Sequence, residues 1–214
     1  MARRDTENDE GTAERLLDRA VATGASATRV WRPAPCVAFG PRDRRAPGYE
    51  RARREAVARG YAPVERSVGG RAVAYTGRTV AFAVARPDDG ARTELTARYD
   101  DARERLVASL TGLGARVEAG EQPDAFCPGD NGVRAVDGGK VAGLAGRVRA
   151  DATAVAGCVL VDDRAAQREL LAPVYRALGL PFDPASVGDL ASAGADPGPG
   201  AVERALRDAF APQE

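Results

Sequence analysis

VRAVDGGKVAGLAGRVRADATAVAGCVLV, residues 133–161, decides the fold class of this chain. Three apolar runs, at 133–136, 140–148 and 153–161, have the length and the Val content of strands. The turn signals Asp137-Gly138-Gly139 and Ala150-Asp151 separate them, and connections this short join antiparallel neighbours. Working upstream, residues 62–66 read as a strand that runs into Ser67-Val68-Gly69-Gly70. Runs at 71–75 and 79–86 follow, joined by Thr76-Gly77-Arg78, which is a hairpin signal with Gly in the turn. Earlier still, Thr12 is placed to cap a helix over 13–23, with Leu16 and Leu17 on its apolar side and Gly24 as its stop. Residues 27–31 and 36–40 read as short strands divided by Pro33 and Pro35, and 47–59 as a helix ending at Gly60. Between the two strand-rich regions lies the longest helical pattern, 95–113, with Leu106, Val107, Leu110 and Leu113 on one face. A short strand at 115–118 and a Pro/Gly/Asp loop at 122–131 follow it. Downstream, helices are expected over 164–178, after Pro184 and over 201–210. Strands in groups, with helices before, between and after them, indicate an α+β fold of mixed, largely antiparallel sheets packed with helices, rather than a regular βαβ alternation. The expected organisation is a disordered tail at 1–10, one domain at 11–190, and a linker (ASAGADPGPG) with a C-terminal helix packed on that domain at 191–214.

Composition removes whole classes of function. The chain has 214 residues, 44% of them hydrophobic, enough for one domain with a sizeable core. No apolar run approaches the roughly 20 residues of a membrane span, and the first ten residues lack the apolar stretch of a secretory signal. A cytoplasmic location is expected. The 31 basic and 31 acidic residues balance to zero net charge and are interspersed, which offers no basic face to nucleic acid and no surface for a membrane. The three cysteines, Cys36, Cys127 and Cys158, read as free thiols. There is no histidine and no C-x-x-C pair, which argues against a metal site and rules out any catalytic system with a histidine base. All but one of the basic residues are arginine; Lys140 is the only lysine. A composition that replaces lysine by arginine wherever it can leaves this one either by chance or for a task that a planar, permanently charged guanidinium does not perform.

Three segments could carry chemistry. In Glu65-Arg66-Ser67-Val68-Gly69-Gly70-Arg71-Ala72-Val73 two adjacent glycines let the backbone approach a ligand and turn its N–H groups outward. Arg66 and Arg71 flank them as partners for an anion. The same residues would equally make a tight loop with two solvated arginines. In Ala125-Phe126-Cys127-Pro128-Gly129 the cysteine stands in a Pro/Gly loop, where function concentrates, and becomes a nucleophile if a cation favours its thiolate. Cys36 and Cys158 lie in apolar strand patterns and read as small buried hydrophobes. In the third segment Lys140 opens a strand whose small residues at 142, 143, 145 and 146 leave room for a ligand. Its charge could stabilise a thiolate at Cys127 or polarise an acyl carbonyl.

Taken together, RVWRPAPCVAFG at 29–40, ERSVGGRAV at 65–73 and GGKVAGLAGR at 138–147 resemble the biotin/lipoate protein ligase and lipoyl/octanoyl transferase superfamily. The resemblance covers roughly 12–190. It implies a class II biotin/lipoate ligase-like catalytic domain, with Arg66, Gly69, Gly70, Arg71, Ala72, Tyr75, Gly143 and Ala145 around the acyl or phosphate group and Lys140 on the acyl carbonyl. The FCPG element at 126–129 is similar to the cysteine-containing amidotransferase branch. That similarity implies an acyl thioester on Cys127 and transfer of a lipoyl or octanoyl group to a lysine of a lipoyl-carrier protein. The carriers implied are lipoyl domains of 2-oxoacid dehydrogenase complexes or the glycine cleavage H protein. The alternatives within this resemblance are a lipoate ligase that uses ATP and Mg through lipoyl-AMP, and a non-catalytic acyl-binding subunit. The last is motivated by two departures: Tyr75 stands near a place where the family often has histidine, and Gly146 where it often has glutamine. Asp130-Asn131-Gly132 also departs from the transferase pattern.

Overall fold

The computed structural model describes residues 11–87 and 95–211; the expected tail at 1–10 lies outside them. The elements run α1 (Thr12–Thr23), β1 (Ala27–Trp31), β2 (Cys36–Phe39), α2 (Tyr49–Ala58), β3 (Ala62–Glu65), β4 (Val73–Tyr75), β5 (Thr79–Pro87), α3 (Leu95–Gly112), β6 (Val117–Ala119), β7 (Gly132–Ala135), β8 (Lys140–Val148), β9 (Ala152–Leu160), α4 (Arg164–Leu178), a 3₁₀ turn (Pro184–Ser186) and α5 (Gly198–Ala209). The three runs of 133–161 are β7, β8 and β9, adjacent and antiparallel in the middle of a six-stranded sheet of order β1-β5-β9-β8-β7-β6. A second sheet has order β3-β2-β4, with β2 parallel to β3 and antiparallel to β4. The α+β architecture with largely antiparallel sheets is therefore present.

Period-2 side-chain alternation divides the core between the two faces of the large sheet. From β9, Ala154, Cys158 and Leu160 join a cluster with Trp31, Phe39 and Tyr175, shared with the small sheet, α1, α2 and α4. Val155 and Val159 point the other way, to a cluster with Phe82, Leu106, Leu110 and Val202 from β5, α3 and α5. Phe82 and Phe210 stack at 4.6 Å there, a contact worth about 0.5–1.5 kcal/mol beyond its buried area.

Several expectations change. Runs 71–75 and 79–86 do not pair as a hairpin: β4 belongs to the small sheet, β5 to the large one. Thr76-Gly77-Arg78 carries the chain between sheets, and the buried Gln167 side chain donates to the Ala74 carbonyl at 3.1 Å. That bond satisfies a backbone acceptor as a neighbouring strand would. Thr12 is the first helical residue rather than the cap, which is Gly11; its hydroxyl instead accepts from Arg15 and Arg29. The helix expected after Pro184 is a single 3₁₀ turn, begun by the Asp183 side chain accepting from the Ala185 amide. The last helix opens at Gly198, before the expected start at 201. Leu190, Ala193 and Ala195 ahead of it are buried.

Candidate active site

Two loops and one strand meet at the edge of the small sheet. The Gly-rich loop leaves β3 with the Arg66 amide donating to Phe39 O at 3.0 Å, and is pinned to β8 by the Gly69 amide donating to Gly146 O at 3.1 Å. Gly70 has φ +88°, and a Cβ there would lie 2.5 Å from Cys127 Sγ. Glycine is required at 70 for this backbone and for this approach. What the glycine admits is the chain's own cysteine, brought in by the loop between β6 and β7.

Cys127 is half-buried and adopts φ +45°, a left-handed conformation that costs a non-glycine residue about 1 kcal/mol. Hydrogen bonds hold every polar atom of the residue. Its amide donates to Tyr175 Oη at 2.5 Å and its carbonyl accepts from Lys140 Nζ at 2.7 Å. Its sulfur accepts from the Arg71 amide at 3.3 Å and from Arg66 Nη2 at 3.6 Å. The same Nη2 donates to Arg71 O at 2.7 Å, so Arg66 braces the loop whose amide faces the sulfur. Asp43, fully buried, supports it from behind. One carboxylate oxygen accepts from the Gly40 amide at 3.0 Å and the other from Arg71 Nη1 at 3.4 Å. Burial pushes the Asp43 carboxyl above its ordinary range, and the Gly40 amide and Arg71 oppose that push. Two N–H donors converging on a sulfur, one of them a guanidinium, suit a thiolate.

Lys140 is 1% exposed. Its ammonium lies 5.3 Å from the centre of the Phe126 ring as well as on the Cys127 carbonyl, two contacts that compensate a buried cation. Burial lowers its pKa, and the negative charge of Cys127 opposes that shift. A side chain at 143 would meet Lys140 Cε at 3.0 Å, so the small residue there admits the lysine stem as well as bordering the cavity.

A cavity opens beside the cysteine. It is narrow, with a free volume of about 20 Å³, and apolar atoms of Trp31, Val68, Val73, Phe82 and Phe126 form much of its wall. Of the residues expected from sequence, Arg66, Tyr75, Cys127, Gly143 and Ala145 line this cavity. Gly70, Arg71 and Lys140 lie against the cysteine instead, Ala72 shares the Tyr175 hydroxyl with it, and Gly69 is bonded to Gly146 of β8. Gly146 is occupied from another side: a Cβ there would overlap the Tyr99 hydroxyl, which hydrogen-bonds the Gly146 backbone. A hydroxyl from α3 thus stands where a longer side chain on β8 would have to go. Sequence reading missed Asp43, Tyr99 and Tyr175. Asp43 sits in an Arg-Asp-Arg-Arg run that reads as solvated, and the two tyrosines sit within helical patterns.

The lipoyl protein ligase A/B catalytic domain matches residues 11–197. No curated protein matches the chain at a significant level. Among solved structures, protein Ta0514 of T. acidophilum with bound lipoic acid superposes with a TM-score of 0.67 at 21% identity, covering 95% of this chain and 80% of that one. Lipoate-protein ligase A bound with ATP gives 0.55 at 18% identity, covering 90% and 87%. A bi-partite lipoate protein ligase of Thermoplasma acidophilum, studied with its E2 lipoyl domain, gives 0.57 at 18% identity, covering 95% and 80%. At these identities the structural likeness establishes the fold, and no helix among the described residues is long and apolar enough to cross a membrane. By the match over residues 11–197, the chain belongs to the lipoyl protein ligase A/B catalytic domain family, a family of enzymes.

Proposed function

We propose that the chain transfers a lipoyl or octanoyl group to a lysine of a lipoyl-carrier protein through a thioester on Cys127. The observation that carries this reading is the cysteine's setting: Sγ faces the Arg71 amide and the Arg66 guanidinium at the wall of an apolar cavity. The thiolate attacks the acyl carbonyl of a carrier-bound group. A C–S bond forms, the bond to the first carrier breaks, and the departing amine or thiol takes up a proton from water. The neutral lysine amine of the acceptor then attacks the thioester; the C–N bond forms, the C–S bond breaks, and the attacking nitrogen loses its proton to water. Splitting one acyl transfer in this way lowers each barrier. Lys140 serves the oxyanion of both steps by moving its hydrogen bond from the Cys127 carbonyl to the acyl oxygen. Arg66, Gly69, Gly70, Arg71 and Ala72 shape the entrance, and Tyr75, Gly143 and Ala145 contact the chain of the cargo. Acceptors are lipoyl domains of 2-oxoacid dehydrogenase complexes or the glycine cleavage H protein; the E2 lipoyl domain studied with the similar bi-partite ligase supports the lipoyl-domain class. Mass spectrometry after incubation with an octanoylated carrier tests the reading: an adduct of one acyl group on Cys127 is expected, and full transfer by Cys127→Ala would sink it.

A second reading is favoured by the ATP bound to the similar lipoate-protein ligase A. In it the chain activates lipoate with ATP and Mg, and the Gly-rich loop, Arg71 and Lys140 receive the phosphate of lipoyl-AMP. Lipoate-dependent release of pyrophosphate, insensitive to loss of Cys127, distinguishes it.

A further inference from the structure

We propose that Tyr175 is a positioning residue for Cys127: its hydroxyl sets the nucleophile's backbone and the loop that faces its sulfur at one fixed distance from each other. The proposal rests on Cys127 being the nucleophile. Tyr175 lies on α4, fully buried, its ring 5.0 Å from that of Phe182. A phenol has one proton to give and lone pairs to accept with. Tyr175 Oη donates to Ala72 O at 2.9 Å, so its lone pair is free to take the Cys127 amide at 2.5 Å. These two partners belong to segments far apart in sequence. Ala72 ends the Gly-rich loop, next to Arg71, whose amide meets the sulfur; Cys127 brings the sulfur itself. One oxygen atom therefore indexes the donor to the acceptor.

The backbone of Cys127 makes the tether necessary. At φ +45° the residue is outside the broad wells that an L-residue prefers, and such a conformation persists only where surrounding bonds over-determine it. Lys140 grips the carbonyl side of this residue and Tyr175 the amide side. Lysine charge is needed elsewhere once an acyl oxygen is present, which leaves the tyrosine as the constant restraint. Burial, and then the charge of Cys127, hold the Tyr175 hydroxyl well above its ordinary pKa, so it stays a neutral donor. Phenylalanine at 175 would keep the ring packing and leave the Cys127 amide and the Ala72 carbonyl without their shared partner.

The test compares the full-length wild type with Tyr175→Phe and with Leu171→Ala, a buried truncation on the same helix. Iodoacetamide labelling at pH 7 is followed by mass spectrometry of the peptide that carries Cys127, alongside melting temperature and the kcat and KM of acyl transfer. In Tyr175→Phe the labelling rate at Cys127 is expected to change by about fivefold or more, kcat to fall at least as much, and KM to stay within about twofold. Leu171→Ala is expected to lower the melting temperature with labelling of Cys127 unaltered. Wild-type labelling in Tyr175→Phe, or an equal change in Leu171→Ala, overturns the proposal. Should Tyr175→Phe not fold, amide hydrogen exchange of the wild type decides: the Cys127 amide is expected to be protected, and exchange at the rate of an open loop overturns the tether. Labelling reports on Tyr175 whatever the reaction, whereas transfer by Cys127→Ala reports on the nucleophile, so the two ideas fail separately.

Discussion

Cys127 and Cys158 line the same cavity, yet they have different chemistry available to them. Cys158 is 4% exposed in the central strand β9, opposite Gly143 of β8 and Ala81 of β5. Its backbone is spent on sheet ladders, and its side chain fills space in a core cluster. Cys127 stands on a loop, in a left-handed conformation, with a guanidinium and an amide turned toward its sulfur. Proximity to the cavity is common to both. What differs is the backbone: Cys158 sits within paired strands, whereas the irregular loop at Cys127 leaves amides free to point at a side chain.

The largest expected effect follows directly. Cys127→Ala should reduce acyl transfer by about 10³-fold or more. Cys158→Ala should change it less than about threefold and cost roughly 1 kcal/mol of stability as a small core deletion. Transfer assays and thermal unfolding of both variants check this, and comparable losses of transfer would erase the distinction. Next in size is Gly70→Ala. A methyl group 2.5 Å from Cys127 Sγ, on a backbone at φ +88°, should displace the sulfur and cost about 10²-fold in transfer, with about 1–2 kcal/mol of stability lost.

Lys140→Met probes the carbonyl side of the same residue. Transfer should fall by about 10²-fold through loss of the charge offered to the oxyanion, while stability near pH 7 changes little. The sign with pH is specific. The folded pKa of Lys140 lies below its ordinary 10.5, so the native state binds fewer protons than the unfolded chain between those two values. Wild-type stability therefore rises relative to Lys140→Met as pH climbs toward 10.5, and urea titrations from pH 7 to 10 measure it. A fixed gap would mean that the burial of the ammonium carries no cost.

The smallest effect on chemistry is expected just beyond the strand that carries Cys158. Asp163 caps α4 with neither carboxylate oxygen paired to another of the described residues. Its pKa is raised to about 6 by burial and then by Asp162 and Asp189. The native state thus holds a proton that the unfolded chain has already released, and stability declines as pH rises from 3.8 through about 6. Asp163→Asn should stabilise the protein by about 1–3 kcal/mol at pH 7, lose that gain near pH 4 and leave transfer unchanged. Melting curves at the two pH values test it.

Sequence alone determined the parts that depend on near neighbours. The bounds expected for β8, 140–148, coincide with those observed, because its tight turn and strand period are local. The exceptional standing of Lys140 came from composition, and that of Cys127 from a Pro/Gly loop in which a core cysteine would be out of place. The early motifs, the Gly-rich loop and the lysine strand together carried the family. Tertiary structure decided the rest. The supposed hairpin at 71–86 splits between two sheets, since Gln167, 93 residues on, takes the Ala74 carbonyl. The sulfur of Cys127 finds its donor 56 residues upstream and its amide finds Tyr175 48 residues downstream. Asp43 becomes a buried brace only when Gly40 and Arg71 close around it. Periodicity and turn chemistry are read within a few residues, whereas hydrogen-bond partners of the Cys127 loop are chosen by how sheets and helices pack, and packing brings together residues with no local mark of their meeting.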